Sequence, residues 1–405
     1  MTLLWWLSSL SLLSLLSWLW LACCQGLFWR TDVRLPPGRR APDRWPDVAV
    51  VVPARDEAAL LPQSLPGLLA QRYPGRARVI LVDDHSTDGT AAAARALAGA
   101  VAATPVAVAP GPGFPGAPGG LPLTVTTPPP LPPGWTGKLW AVRHGVELAG
   151  EVELLLLTDA DIAHGPDTLA ALVAAAETDR LDLVSQMARL RTETGWERLI
   201  VPAFVYFFAQ LYPFRWSNRP GARTAAAAGG CTLVRRRALE RAGGIAAIRG
   251  AVIDDVSLAR AVKRSGGRTW LGLAERPAEL RVTSVRPYPG LAPLWRMVSR
   301  SAYAQLRHSP LLLLGTVLGL TVVYLVPPAA ALTGLLTGFS PLAATGLAAW
   351  AVQAGTYLPM LRYHDRPPAA ALLLPLTALL YLLMTVDSAV QHWRGQGAAW
   401  KGRTY

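Results

Sequence analysis

Two carboxylates separated by one residue, Asp159-Ala160-Asp161, follow four consecutive leucines at 154–157. A short apolar run bounded by polar residues reads as a buried parallel strand. Carboxylates at its C-terminal end stand where open α/β sheets bind their ligands. Oxygen-only ligands suit Mg²⁺ or Mn²⁺, ions that usually bridge a carboxylate to substrate phosphates. Taken alone, the pair has a plainer reading as a polar strand end that caps the next helix. Four other blocks share its setting. Val51-Val52-Pro53-Ala54-Arg55-Asp56-Glu57 closes one strand, and Val82-Asp83-Asp84-His85-Ser86-Thr87-Asp88-Gly89-Thr90 closes another. Gly137-Lys138-Leu139-Trp140-Ala141 follows a Pro/Gly-rich stretch, and Ile253-Asp254-Asp255-Val256-Ser257-Leu258 opens a helix. Each block alone is readable as turn or cap chemistry. Their shared strand-end or helix-start setting points to one site.

Strands and helices must alternate to bring these blocks together. Val48-Ala49-Val50-Val51-Val52 and Val79-Ile80-Leu81-Val82 are β-branched runs, and residues 57–72 between them read as a helix. Across residues 46–285 this pattern predicts an α/β domain with a mostly parallel sheet and helices on its faces. Residues 110–134, dominated by Pro and Gly, predict a surface insertion. His85, His144 and His164 read as surface or capping residues. Cys23, Cys24 and Cys231 have no zinc spacing and form no disulfide framework, which suits a reducing compartment.

The flanks are apolar. The chain of 405 residues is 52% hydrophobic and only 16% charged, which leaves room for membrane spans beside a globular core. Residues 3–29 carry no charge and read as a first span, with a basic linker at 30–45 that holds Arg30, Arg34, Arg39, Arg40 and Arg44. The positive-inside bias then puts the globular domain in the cytoplasm of a bacterial-type cell, multi-pass in its inner membrane. Residues 199–214 are almost wholly apolar but short, and suit either a core helix or a membrane-dipping one. Residues 290–308 read as an interfacial amphipathic helix: Leu291, Leu294, Trp295, Val298, Ala302 and Leu306 share one face, and Arg296, Arg300 and Arg307 the opposite one. Residues 311–390 hold the C-terminal membrane segments, two spans that turn near 338–341 and a third apolar stretch from 369, ahead of a basic tail at 391–405. Four full spans would put that tail outside, against the positive-inside bias, so the last stretch is either re-entrant or an exception. The net charge of +13 comes from clusters beside these segments, including Arg281 and Arg286. They read as contacts to lipid headgroups or phosphates. Without a nucleic-acid-binding motif, no nucleic-acid partner is expected.

The blocks and their order resemble the family 2 glycosyltransferases of the GT-A fold, over roughly residues 45–310. Within that family the chain is most similar to the membrane-bound glycosyltransferases associated with hopanoid biosynthesis. The stretches that carry this likeness are Gly134-Trp135-Thr136-Gly137-Lys138-Leu139-Trp140, Ala228-Gly229-Gly230-Cys231, Ile253-Asp254-Asp255, Trp295-Arg296-Met297-Val298-Ser299-Arg300 and the tail Trp400-Lys401-Gly402-Arg403-Thr404-Tyr405. The resemblance implies that Pro53, Glu57 and Asp84 line the nucleobase and ribose pocket, with Lys138 beside them. It makes Asp159 a contact to the nucleotide sugar and a second metal ligand, Asp161 the holder of Mg²⁺ or Mn²⁺ on the diphosphate, and Asp255 the catalytic base. The donor it implies is a nucleotide-sugar, most commonly a UDP-sugar; the acceptor is a membrane lipid, a hopanoid or related polyprenoid. Many membrane members carry Gln or Arg, two further residues and then Arg-Trp. Here the stretch is Met297-Val298-Ser299-Arg300-Ser301, which keeps Arg300 as a donor-site candidate and favours a single transfer over polymer synthesis. The same chemistry on polyprenyl phosphate or diacylglycerol, and a nucleotide-sugar-binding scaffold without turnover, are the alternatives.

Overall fold

The computed structural model describes all residues except Met1, 36–40, 104–119, 397–398, 401–402 and 405. The expectations placed on Arg39, Arg40, Lys401 and the insertion as far as residue 119 fall outside the described residues. The chain opens with helix α1 (Thr2–Cys24) and then runs β1 (Val48–Ala54), α2 (Leu61–Leu69), β2 (Ala77–Asp83), α3 (Thr90–Ala103), β3 (Leu123–Thr126), α4 (Gly137–Leu148), β4 (Leu154–Thr158), β5 (Ile162–His164), α5 (Thr168–Thr178) and β6 (Leu183–Met187). It continues with α6 (Gly195–Leu211), α7 (Phe214–Ser217), β7 (Cys231–Arg235), α8 (Arg236–Arg241), α9 (Asp254–Arg264), β8 (Thr269–Leu273), β9 (Val282–Ser284) and α10 (Leu291–Gln305). Two compact units result, one of residues 32–191 and 216–287, the other of residues 1–31, 192–215 and 288–405.

The first unit is built on a seven-stranded sheet in the order β3-β2-β1-β4-β7-β6-β8. Only β7 runs against its neighbours β4 and β6; the other pairings are parallel. Both faces are covered, which is why the central strands are apolar throughout rather than alternating. Val48, Val50, Val52, Leu154 and Leu156 pack with α2 and α5 on one face. Ala49, Val51, Leu155 and Leu157 pack with α4 and α9 on the other. A Cβ at Gly145 would lie 2.5 Å from Val51 Cγ1, so glycine lets α4 lie directly on β1. The register pairs Ala54 with Asp83 and Val51 with Leu157, so the polar blocks after β1, β2 and β4 emerge along one sheet edge. The helix expected over 57–72 is shorter. Residues 57–60 form a turn, and α2 starts at Leu61 with Pro62 in its first turn, where a missing N–H costs nothing. A separate ribbon pairs β5 with β9 antiparallel, Ile162 opposite Ser284.

The second unit is helical and apolar. At 23 residues, α1 reaches about 34 Å at 1.5 Å per residue, enough for a hydrocarbon core of about 30 Å. Pro310–Thr337 and Pro368–Trp393 are also long and apolar enough to cross a membrane. The first of these contains a π-turn at 321–325. Pro327 follows it and has no N–H for the Val323 carbonyl; the indole Nε1 of Trp18 donates to that oxygen instead, at 2.5 Å. The helix ends at Gly338 (φ 67°), and a further helix over Ser340–Tyr363 returns along it. Helix α6, although it falls between sheet strands in sequence, groups with this unit. A capping box of Thr194 and Glu197 starts it. Helix α10 buries Leu294, Val298, Ser299 and Tyr303 and exposes Arg296 and Arg300; Arg307, also exposed, lies past its end.

Candidate active site

The site grows from the sheet edge outward. The loops after β1 and β2 are laced together by reciprocal side-chain bonds. Asp56 N donates to Ser86 Oγ (2.9 Å), Thr87 N to Asp56 Oδ1 (2.8 Å), Glu57 N to Thr90 Oγ1 (2.9 Å) and Ala58 N to Asp88 Oδ2 (2.9 Å). The Arg55 guanidinium donates to the Asp84 carbonyl (2.7 Å) and lies 3.7 Å from the buried Asp84 carboxylate. Asp56 and His85 hold positive φ values of 50° and 55°, a conformation that Asp and His tolerate better than most residues. The lacing fixes both turns before any ligand arrives.

Next to these loops, Lys138 is shared by two acids. Thr136 caps α4, which puts Lys138 in its first turn. Its Nζ lies 2.9 Å from Asp159 and 3.0 Å from Asp254. Burial works against the charge of Lys138, but the two carboxylates outweigh it and raise its pKa. Asp255, beside Asp254 at the start of α9, accepts from Gly229 N (2.8 Å) and Val256 N (2.7 Å). Burial, reinforced by the Asp254 charge, pushes its pKa up to about 6, while Lys138 and the two N–H bonds hold it down. Asp159 is raised by burial, with Asp161 and Asp254 adding and Lys138 opposing. Pro53, Lys138, Asp159, Gly229, Asp254 and Asp255 line one cleft, with Leu139, Ile245, Ile248 and Leu258 as apolar walls.

Asp161 faces other partners. Ser284 on β9 donates to its Oδ2 at 2.6 Å, and Val285 N donates to its carbonyl at 2.9 Å. Arg286 brings Nε to 3.4 Å from the same Oδ2 and Nη2 to 2.7 Å from Glu57 Oε1. Sequence reading missed both Ser284 and Arg286 as site residues. Arg286 counted only as part of a basic cluster, and nothing local reveals that a β5–β9 ribbon carries it across more than a hundred residues to Asp161. Lys138 shares a cleft with Pro53 of its expected company, while its ion pairs are with Asp159 and Asp254. Arg300 lies exposed on α10, in the other unit. His164, expected to be a surface or capping residue, is buried. Thr158 Oγ1 donates to the Gly230 carbonyl (2.7 Å) and so accepts from His164 Nε2 (2.9 Å). Burial pushes that imidazole down to about 4, so it stays neutral.

Charge decides whether a divalent cation fits. Among the described residues, no three His, Cys, Asp or Glu side chains form a metal cage by themselves. Mg²⁺-type sites need less, since one or two carboxylates plus phosphate oxygens suffice. Glu57, Asp84, Asp159, Asp161, Asp254 and Asp255 stand against Arg55, Lys138 and Arg286, an excess of acid around a cleft. A diphosphate entering that field needs a cation, and the oxygens of Asp159 and Asp161 are the ligands on offer.

Comparison with known proteins gives the class. The family model described as "Glycosyltransferase like family 2" matches residues 46–289, more than half of the chain. The chain belongs to that family, and it is a glycosyltransferase of GT-A fold that uses a nucleotide sugar. Among solved structures, it is similar to the mannosyltransferase PcManGT from Pyrobaculum calidifontis in complex with GDP-Man and Mn²⁺. That likeness has 20% identity and a TM-score of 0.55, and it covers 96% of this chain and 99% of that one. A mannosyl-3-phosphoglycerate synthase from Rubrobacter xylanophilus is more distant, at 18% identity over 65% of this chain and 75% of that one, with a TM-score of 0.36. No curated protein matches.

Proposed function

We propose that this enzyme is a membrane-bound, inverting glycosyltransferase that moves one sugar from a nucleoside diphosphate to the hydroxyl of a membrane lipid. The observation that carries this reading is Asp255. A carboxylate fixed by two backbone N–H groups, raised to about 6 and set at the rim of the Asp159–Lys138 cleft, is poised to accept a proton near neutral pH. An ionised phosphate acceptor would have no proton to give it. Asp159 and Asp161 would hold Mg²⁺ or Mn²⁺ at the sugar-diphosphate, and the ion would supply neutralisation of the departing diphosphate. Lys138 adds a fixed cation on the same side, and Pro53, Glu57 and Asp84 bound the nucleoside. A single base that activates the acceptor hydroxyl for direct attack gives inversion.

The resemblance to hopanoid-associated enzymes supports a hopanoid or related polyprenoid acceptor and a UDP-sugar donor. The GDP-Man of PcManGT makes GDP-mannose the donor to test beside it. Three apolar helices long enough to span support a multi-pass protein, with the catalytic unit on the cytoplasmic side of an inner membrane. Lipid extracts of a deletion strain and its parent, compared by mass spectrometry, test the acceptor. Loss of a glycosylated hopanoid is expected. Unchanged hopanoids with another glycolipid missing would move the acceptor to polyprenyl phosphate or diacylglycerol.

A further inference from the structure

Glu57 and Asp161 belong to opposite ends of the donor in this reading, the nucleoside and the diphosphate. One side chain touches both. Arg286 donates to Glu57 Oε1 at 2.7 Å and keeps Nε 3.4 Å from Asp161 Oδ2. Its side chain is 30% exposed, while those of Glu57 and Asp161 are 7% and 13% exposed. The planar fork of arginine reaches two acids at once, which a lysine ammonium cannot do with the same geometry. Its position is imposed by the chain. The β5–β9 pairing sets Ser284 opposite Ile162, the Val285 N–H bonds to the Asp161 carbonyl, and Arg286 follows directly.

We propose that Arg286 is the resident cation of the donor site, neutralising Glu57 and Asp161 before donor arrives and moving to the diphosphate oxygens as the divalent ion takes Asp161. The proposal rests on the nucleotide-sugar reading of the site. A divalent ion that reaches Asp161 alone meets the Arg286 charge and is repelled. With a diphosphate present, Arg286 would turn to its oxygens, to which guanidinium is well suited, and Asp161 would be released to hold the ion. Ion and nucleotide therefore load together. Each weakly occupies the site alone, and each strengthens the other. The Ser284 hydroxyl, bonded to the same Asp161 Oδ2, keeps that carboxylate aimed while Arg286 leaves it.

The test uses the full chain in nanodiscs. Mn²⁺ binding is read by electron paramagnetic resonance without nucleotide, and UDP and GDP binding by calorimetry with Mn²⁺ present. For R286Q the two readings should move in opposite directions. Mn²⁺ alone binds about tenfold tighter and the nucleoside diphosphate about tenfold weaker, the size of ordinary coupling between sites. R286K, which keeps the charge and loses the fork, should fall between R286Q and wild type in both. If R286Q weakens both ligands, Arg286 is only a structural brace, and if it changes neither, the contacts are incidental; either result overturns the proposal while the function stands. A wild-type protein that binds neither UDP nor GDP overturns the functional reading and this proposal with it.

Discussion

Asp159 and Asp161 are two residues apart and answer to different parts of the molecule. Asp159 belongs to the helix side of the sheet. It shares Lys138 with Asp254, and Asp255 stands next in that group. Asp161 belongs to the ribbon side, where Ser284 and Arg286 hold it and Arg286 ties it to Glu57. The split arises because both acids lie in the turn between β4 and β5, where side chains no longer share the face that a strand gives to residues two apart. In the proposed function the first neighbourhood holds the base, Asp255, beside a donor contact, Asp159, and the second serves the donor alone. The motif thus ties the surroundings of the base to those of the donor.

Substitutions on each side should separate those functions. The largest effect is expected from D255N, which removes the proposed base. Transfer should fall about 10²–10⁴-fold, with nucleotide affinity unchanged by calorimetry. Loss of nucleotide binding in this variant would merge the two neighbourhoods. D161A should act the other way, weakening Mn²⁺-dependent nucleotide binding roughly a hundredfold, since a bound metal supplies several kcal/mol. A titration that is the same with and without Mn²⁺ would remove Asp161 from the metal.

K138M tests the electrostatics within the first of these neighbourhoods. Without its positive charge, the acid limb of the kcat/KM profile should move to higher pH by about one pKa unit, and D254N should move it lower by a similar amount. Shifts of the same sign would contradict the arrangement. K138M should also lose about 1–2 kcal/mol of stability in denaturant unfolding, less than the roughly 3–5 kcal/mol of a broken fully buried pair, because Lys138 is 24% exposed.

The smallest effect concerns stability alone. Ionised Asp255 is disfavoured in the folded state, since its pKa there is raised above the unfolded value. D255N should therefore raise Tm above about pH 6, where the folded carboxylate is charged. The gain should fade toward pH 4, where it is protonated folded and half protonated unfolded. Scanning calorimetry at both values reads this, and a lower Tm for D255N above pH 6 would mean that the carboxylate stabilises the fold.

The sheet was legible because its central strands are buried on both faces. The β-branched run after residue 47 and the leucines at 154–157 need no partner to be recognised. The acids at the strand ends followed from the same reading. Less visible was anything set by register between distant segments. Ser284 and Arg286 reach Asp161 only because β9 pairs with β5. The ion pairs of Lys138 depend on Gly145, which lets α4 settle on Val51. Asp254 and Asp255 look equivalent at a helix start. Contacts from distant segments tell them apart: Lys138 pairs with Asp254, and the Gly229 N–H bonds to Asp255. The helix expected from residue 57 starts later, because Glu57 N is engaged by Thr90 and the chain turns before Pro62.

The most direct test of the central claim is a single-turnover pH profile of sugar transfer at saturating donor in nanodiscs, for wild type and D255N. The account predicts that the wild-type rate rises with pH through about 6, as Asp255 loses its proton, and that D255N shows a low rate without that limb while still binding donor. A wild-type rate that is flat from pH 5 to 8, or a D255N enzyme that keeps the limb, would contradict it.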